Sequence, residues 1–328
     1  MNYKSIADLN ADIIQGLHLL PDNVDLIVGI PRSGMLAASI LATHSHLPLI
    51  DVDGFIQGRP AWFGRTKRNK GTEKVEAWKN SLDAKNPLLF DDSVHSGLSI
   101  EDALQSVHQL DPKKKVTTGS VYVKPGSENK IDMYIKKLDL PRIFEWNLMH
   151  HTILSQSCVD IDGVLCRDPS SEENDDGQNY INFILNVPAR HVPSIEIGCL
   201  VTSRLEKYRK ETEQWLNSNN IKYNKLIMLD LISGEERRRL GIHASFKAEN
   251  YKKSHARLFI ESSHKQSIDI AKLSGKCVLC YETGQLVWPD GIKSIMAKQK
   301  SKLGYGGWKR YVPESLRIVY RNVKNRIV

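Results

Sequence analysis

Two pairs of acidic residues stand where carboxylates could take part in chemistry. Asp91 and Asp92 follow the apolar run 88–90, and Asp160 and Asp162 follow the short stretch 157–159. Because such stretches are typical of buried strands, each pair is predicted to lie at the carboxyl end of a strand. Adjacent carboxylates can hold two hydroxyl groups. Carboxylates spaced by one residue lie on the same side of an extended chain, where one can attack phosphorus and the other can protonate the leaving alkoxide.

Small residues follow the first acidic pair and precede an amphipathic stretch that runs to about Leu110. Ser96, Gly97 and Ser99 would expose backbone N–H groups at the start of a helix, where anions are stabilised. The neighbouring carboxylates would repel a phosphate unless they faced another group. We therefore expect a ribose phosphate, with its ring hydroxyls on the carboxylates and its 5-phosphate in the loop.

A second glycine-containing loop lies about sixty residues before the acidic pair. Residues 25–42 read as an apolar strand, a loop with Arg32, Ser33 and Gly34, and a helix with apolar spacing. Glycine lets backbone N–H groups approach an anion, and Arg32 can donate charge-assisted hydrogen bonds. The loop could therefore wrap a diphosphate.

The two loops together resemble those of the type I phosphoribosyltransferases, whose signature is an apolar run, two acids, three further residues and Ser/Thr-Gly-x-Ser/Thr. Residues 88–99 fill every position of that signature. The resemblance implies that phosphoribosyl pyrophosphate binds with Mg²⁺ and loses pyrophosphate as its anomeric carbon gains oxocarbenium character. The substrate-binding residues implied in this way are Arg32, Ser33, Gly34, Asp91, Asp92, Ser93, His95, Ser96, Gly97 and Ser99.

Two further segments of the first half resemble parts of that family. Residues 55–74 are rich in glycine and bases and are expected to form the hood loop over the leaving pyrophosphate. Residues 141–151 resemble the aromatic segment that ends the sheet and helps to form the acceptor pocket in xanthine- and guanine-type enzymes. Glu145-Trp146-Asn147 departs from their Pro-Trp-Glu, which counts against a purine acceptor.

The second acidic pair resembles the first motif of the haloacid-dehalogenase-like phosphatases, and the likeness covers roughly residues 156–290. It implies that Asp160 is the nucleophile and Asp162 the general acid. The hydroxyl-bearing Thr202 and Ser203, at the predicted end of a strand, would grip the phosphoryl group. The alternative is a degenerate domain with a structural role only.

The same resemblance implies a charge-balancing lysine and a magnesium site. Lys247 suits the lysine position, and Lys252 and Lys253 are rivals. The predicted metal ligands are Asp160, Asp162 through its backbone carbonyl, and Glu261. Ser262 stands where a second acid is common, but Mg²⁺ usually takes only one or two carboxylates and keeps several waters. The short acidic insertion at 167–194 predicts a small cap that leaves the site open to bulky substrates.

Composition limits the setting in which the chain works. None of its apolar runs reaches the roughly 18 residues of a membrane span, and the first residues do not resemble a signal peptide, so a cytoplasmic location is expected. Five cysteines at apolar positions fit a reducing compartment, and the lone pair Cys277 and Cys280 is interpreted as buried thiols rather than a zinc site.

The net charge of +8 is concentrated at the C-terminus. Residues 298–328 carry nine bases and one acid, so the other 297 residues sum to zero. This pattern argues against a general nucleic-acid surface. Residues 308–328 read as a basic amphipathic helix that could contact the inner face of an anionic membrane, its own domain or a second copy of the chain.

The sequence thus predicts an α/β chain of two Rossmann-like domains, each a mainly parallel sheet flanked by helices, at 1–152 and 153–297, with a basic tail at 298–328. The favoured function is phosphoribosyl transfer to an acceptor, a lipid-linked glycan hydroxyl, followed by removal of the 5-phosphate to leave ribofuranose. This combination is similar to enzymes that install ribofuranose in bacterial surface polysaccharides. Two alternatives stay open: a nucleobase phosphoribosyltransferase with nucleotidase activity, and a non-catalytic sensor of phosphoribosyl pyrophosphate.

Overall fold

The computed structural model describes residues 1–62 and 76–290. Most of the predicted hood loop and the whole basic tail lie outside the described residues. The chain divides into two compact units, one on each side of the bond between Leu148 and Met149. Both units are α/β with mainly parallel sheets flanked by helices, which confirms the predicted fold class.

The first unit alternates strands and helices. Its described strands are β1 (Asn2–Lys4), β2 (Leu26–Gly29), β3 (Leu49–Asp51), β4 (Ala61–Trp62), β5 (Glu76–Trp78), β6 (Pro87–Val94), β7 (Thr117–Val123), β8 (Met133–Lys137) and β9 (Arg142–Phe144). Its described α-helices are α1 (Ile6–Gly16), α2 (Ser33–Ser45), α3 (Val52–Ile56) and α4 (Leu98–Leu110).

Seven of these strands form one sheet in the order β5-β4-β3-β2-β6-β7-β8, with β3, β2, β6, β7 and β8 parallel. The chain leaves β2 towards β3 through α2 and leaves β6 towards β7 through α4. One apolar cluster includes residues of α1 and α2, and another includes residues of α3 and α4. The strand order therefore reverses between β2 and β6, and the crevice at their carboxyl ends is where open α/β sheets bind ligands.

One strand boundary and one strand pairing differ from the sequence prediction. Strand β6 runs on to Val94, so Asp91 and Asp92 lie within it; Asp91 is paired in register with Ser120 of β7. Strand β9 does not end the main sheet, because it pairs in parallel with β1 in a separate two-stranded sheet. Both pairings join residues distant in the chain, which local apolar patterning does not encode.

The second unit repeats the alternation. Its described strands are β10 (Ser157–Val159), β11 (Ile197–Leu205), β12 (Tyr223–Leu229), β13 (Leu258–Glu261), β14 (Val278–Cys280) and β15 (Gln285–Val287). Its described α-helices are α5 (Gln178–Asn186), α6 (Arg209–Ser218), α7 (Gly234–Leu240), α8 (His243–Lys253) and α9 (His264–Ser274).

The second sheet has the order β12-β11-β10-β13-β14-β15, in which β15 alone is antiparallel to its neighbour. Its order reverses between β10 and β13, so the carboxyl ends of these strands form the second ligand crevice. Strand β11 does not end at Thr202 and Ser203 as predicted. It continues to Leu205, with an irregular register against β12 between Val201 and Leu205.

The described residues also bear on two predictions from composition. All five cysteines are free and buried. No helix among the described residues is long and apolar enough to cross a membrane.

Candidate active sites

Asp92 is the best-anchored residue at the crevice of the first unit. It is 4% exposed. Its Oδ1 accepts a hydrogen bond from Ser33 Oγ at 2.9 Å, and its Oδ2 accepts one from Trp146 Nε1 at 2.8 Å. The first turn of α2 and the segment after β9 therefore fix this carboxylate from two sides. Trp146 was expected to border an acceptor, and its bond to Asp92 could not be read from the sequence.

Asp91 lies beside Asp92 and is 8% exposed. Its Oδ1 accepts the backbone N–H of Asp92 at 2.8 Å. Burial and the neighbouring Asp92 carboxylate raise the pKa of Asp91 to about 8. A Cβ atom at Gly34 would lie only 2.6 Å from Asp91 Oδ1, so a glycine at this position lets α2 begin against β6. The two predicted loops therefore meet at the point where the strand order reverses.

The predicted phosphate loop lies between β6 and α4. Gly97 adopts φ +83° at the N-cap of α4, a conformation that glycine takes without steric cost. Lys130 Nζ donates to the backbone carbonyl of Ser96. Burial and the charges of nearby cations lower the pKa of His95; these cations are Lys124, Arg142 and Lys130. The loop thus lies in a basic environment suited to a phosphate, supplied by residues that sequence reasoning missed.

The remaining residues predicted to bind the substrate are exposed or half-buried. Arg32 is exposed and donates to Asn147 Oδ1, so two residues predicted for separate roles are joined. Ser96 Oγ accepts the backbone N–H of Leu98 at 3.5 Å. Ser99 is exposed and Ser93 half-buried.

A lysine joins two carboxylates at the crevice of the second unit. Asp160 directly follows β10, Glu261 ends β13, and Lys247 projects from α8. Lys247 Nζ lies 2.6 Å from Asp160 Oδ2 and 2.7 Å from Glu261 Oε2. All three residues are buried, with exposed fractions of 4%, 0% and 2% for Asp160, Glu261 and Lys247.

The rival lysines have no such environment. Lys252 and Lys253 are exposed, and Lys253 pairs with Glu249 on the same helix. Of the three candidates, Lys247 is the one that the fold brings to Asp160. Sequence spacing alone did not separate them.

Burial and the lysine act in opposite directions on these groups. Burial raises the pKa of Asp160 to about 7, with the Glu261 and Asp162 charges acting in the same direction and Lys247 opposing them. Burial by itself lowers the pKa of Lys247, but Asp160 and Glu261 raise it above its ordinary value. The lysine therefore stays protonated and partly offsets the cost of a buried anion at Asp160.

Asp162 has a cation of its own. Arg204 is 0% exposed, and its Nη2 donates to Asp162 Oδ1 at 2.6 Å while its Nε donates to Oδ2 at 3.1 Å. The rings of Phe183 and Trp215 lie 5.9 and 5.6 Å from the guanidinium carbon. This bidentate pair holds Asp162 as a hydrogen-bond acceptor. For Asp162 to donate a proton, it must first leave Arg204, a residue that the sequence analysis did not single out.

The two predicted phosphoryl-binding hydroxyls lie along β11. Thr202 is 0% exposed, and its Oγ1 accepts the backbone N–H of Arg204 at 3.2 Å. Ser203 Oγ is buried without a hydrogen-bond partner among the described residues. A buried hydroxyl in this state is costly unless it finds an acceptor.

Asp160 and Glu261 have the donor chemistry for Mg²⁺, since hard divalent cations prefer carboxylate oxygens. The ammonium group of Lys247 contacts both carboxylates, so the two are close enough to bind one cation together. The Asp162 carboxylate is held by Arg204, which leaves its backbone carbonyl as the atom predicted to bind metal. Among residues 1–62 and 76–290, no group of three or more His, Cys, Asp or Glu side chains is placed to hold a metal ion.

Comparison with known families finds a match for the first unit. Residues 2–152 match the family described as phosphoribosyl transferase domain. No curated protein matches the chain.

Solved structures resemble the chain over less than half of its length. A purine phosphoribosyltransferase from Pyrococcus horikoshii is 21% identical, over 44% of this chain and 95% of that one, with a TM-score of 0.31. A xanthine-guanine-hypoxanthine phosphoribosyltransferase from Helicobacter pylori is 20% identical, over 44% and 92%, with a TM-score of 0.32. An orotate phosphoribosyltransferase from Aeropyrum pernix is 12% identical, over 40% and 72%, with a TM-score of 0.26.

Proposed function

We propose that this chain transfers a 5-phosphoribosyl group from phosphoribosyl pyrophosphate to an acceptor hydroxyl and then removes the 5-phosphate, leaving a ribofuranosyl group. The acceptor in this proposal is a sugar of a lipid-linked glycan. The family match of the first unit supports the transfer step. The proposal depends most on a single observation in the second unit: buried Lys247 holds Asp160 and Glu261 together at the crevice between β10 and β13.

In the transfer step, the bond between the anomeric carbon and pyrophosphate breaks, and pyrophosphate leaves with the electron pair. Asp91 and Asp92 accept hydrogen bonds from the two ribose hydroxyls, while the N–H groups near Ser96 and Gly97 bind the 5-phosphate. The acceptor oxygen then bonds to the anomeric carbon, and its proton passes to the departing pyrophosphate. The Asp92 carboxylate, which has no paired cation among the described residues, suits this step because the sugar gains positive charge in the transition state. Asp91, whose pKa is raised to about 8, still accepts a hydrogen bond in its protonated form.

In the hydrolytic step, Asp160 Oδ attacks phosphorus and the bond from phosphorus to the ribose O5 breaks. Asp162, after release from Arg204 and uptake of a proton from water, gives that proton to O5. Water then cleaves the phosphoaspartate, which regenerates Asp160 and releases inorganic phosphate. Mg²⁺, when bound by Asp160 and Glu261, would neutralise charge on the phosphoryl group. Lys247 favours the ionised form of Asp160, although Asp160 is buried.

A glycan acceptor fits the combined outcome of the two steps better than a nucleobase does. A nucleotide made by the first unit and dephosphorylated by the second would serve salvage poorly, whereas a glycan would keep the ribofuranose. Residues 145–147 depart from the pattern of the purine enzymes. Two of them are already engaged in hydrogen bonds, Trp146 with Asp92 and Asn147 with Arg32, and these bonds leave the two side chains less available to bind a purine.

The test is incubation with phosphoribosyl pyrophosphate, Mg²⁺ and either nucleobases or lipid-linked glycans, with pyrophosphate, phosphate and product mass measured. Asp160→Asn should stop phosphate release and accumulate a product heavier by one phosphate. The exposed Glu235→Gln, on α7, is the matched control and should behave as the parent chain. Pyrophosphate release with nucleobases only would overturn the glycan acceptor. An unphosphorylated product from Asp160→Asn would overturn the role of the second unit.

A further inference from the structure

A cavity of about 650 Å³ lies beside the Asp160 centre in the second unit. It is lined by Gly163, Asp168, Arg190, Ser262, Ser263, Gln266, Tyr281 and Glu282. Gly163 directly follows Asp162, and Ser262 directly follows Glu261. Gln266 Oε1 accepts a hydrogen bond from Lys247 Nζ at 3.3 Å. The cavity is therefore joined by chain continuity and by this contact to the three residues of the reacting centre.

The turn at Gly163 forms part of the cavity wall. Gly163 has φ +78°, and a Cβ atom there would lie 2.4 Å from Ser262 Oγ and 3.0 Å from Asp168 Oδ2. The chain that carries Asp162 thus approaches both residues closely. Arg190 Nη1 donates to the Gly163 carbonyl at 2.9 Å and supports the same turn.

The lining of the cavity contains many hydrogen-bonding groups and an excess of negative charge. Asp168 and Glu282 bring two carboxylates and Arg190 brings one cation, with serine hydroxyls and an amide between them. Two carboxylates disfavour a second anionic group such as a diphosphate. The one aromatic side chain in the lining, Tyr281, bonds through its hydroxyl to His191 and meets that ring edge-on. These features favour a neutral ligand rich in hydroxyl groups over a flat aromatic base.

We propose that this cavity binds the sugar of the phosphomonoester hydrolysed at Asp160, with Asp168 and Glu282 accepting hydrogen bonds from adjacent sugar hydroxyls. The inference rests on the proposed phosphatase function and specifies its substrate class. Both carboxylates are exposed, so their selectivity comes from the charge-assisted hydrogen bonds that they accept, and not from the cost of an unpaired buried group.

The experiment compares three substrates of the full chain: ribose 5-phosphate, 2-deoxyribose 5-phosphate and p-nitrophenyl phosphate, which has no sugar. We expect ribose 5-phosphate to exceed the deoxy sugar about tenfold in kcat/KM, through KM. Asp168→Asn and Glu282→Gln should each lower the ratio of ribose 5-phosphate to p-nitrophenyl phosphate activity by about tenfold. Glu235→Gln, outside the cavity, should leave that ratio unchanged.

Failure of this inference and failure of the proposed function give different results. If p-nitrophenyl phosphate is hydrolysed but the two sugars are equal and neither substitution moves the ratio, the sugar cavity is wrong and the phosphatase stands. If no phosphomonoester is hydrolysed, the phosphatase is wrong. In that case, calorimetric titration of ribose 5-phosphate still tests the cavity: the inference requires weaker binding by Asp168→Asn and Glu282→Gln, and equal binding overturns it.

Discussion

The two crevices contain similar carboxylates with opposite electrostatic surroundings. Asp91 and Asp92 are buried side by side, and no described residue forms an ion pair with either. Asp160 and Glu261 are buried at the same topological position of the second sheet, yet they share the ammonium of Lys247. The first arrangement suits hydroxyl ligands and developing positive charge, and the second suits an anionic nucleophile facing a phosphoryl group. A pair of acids after a strand thus gains its chemistry from the cations around it.

The largest expected effect comes from removing the cation that distinguishes the two centres. Lys247→Met would leave Asp160 and Glu261 buried without a paired cation and should cost about 3–5 kcal/mol of stability. Lys253→Met breaks the exposed pair with Glu249 and should cost less than about 1 kcal/mol. Denaturant unfolding measures both. Equal losses of unfolding free energy would mean that Lys247 contributes no more to stability than an exposed lysine does.

Removing one acid of the uncompensated pair should affect transfer alone. Asp92→Asn keeps the shape but weakens the acceptor for the ribose hydroxyls, and we expect kcat/KM for pyrophosphate release to fall about 10²-fold. Hydrolysis of p-nitrophenyl phosphate should not change. Asp102→Asn, exposed on α4, is the control. A parallel loss of both activities would contradict the division of labour between the units.

The absence of a cation should also make the first unit sensitive to pH. Burial and Asp92 raise the pKa of Asp91 to about 8, so between about pH 4 and about pH 8 the folded protein holds a proton that the unfolded chain releases. Stability therefore falls as pH rises through this window, by roughly 3–4 kcal/mol from pH 5 to pH 8. Calorimetric unfolding should show a smaller fall for Asp91→Asn. An equal fall would assign the pH dependence to other groups.

The smallest effect concerns the orientation of Asp92. Trp146→Phe keeps the aromatic packing but removes the hydrogen bond to Asp92 Oδ2, which is worth about 1 kcal/mol, so transferase kcat/KM should fall about fivefold. Trp78→Phe also removes an indole hydrogen bond, to the Asp25 carbonyl. It should leave kcat/KM unchanged. Equal effects of the two substitutions would mean that Trp146 acts only through stability.

The sequence alone determined which local elements carry the acids. Apolar runs placed strands before both acidic pairs, and small residues placed the start of a helix at 96–99, because these patterns depend on neighbours in the chain. The structure has β6, β10 and α4 at these places. The match of residues 2–152 to phosphoribosyl transferase domains agrees with the motifs read there. The two acidic pairs could therefore be found without coordinates.

Only the tertiary structure decided what surrounds those acids. It brought Lys247 to Asp160 while Lys252 and Lys253 stayed exposed, paired Arg204 with Asp162, and gave Asp92 the indole of Trp146. These contacts join residues between 42 and 87 positions apart. Strand order and helix docking set such distances, and neither can be read from local periodicity. The residue types fixed the candidates for chemistry, and the packing decided which carboxylates are compensated by a cation.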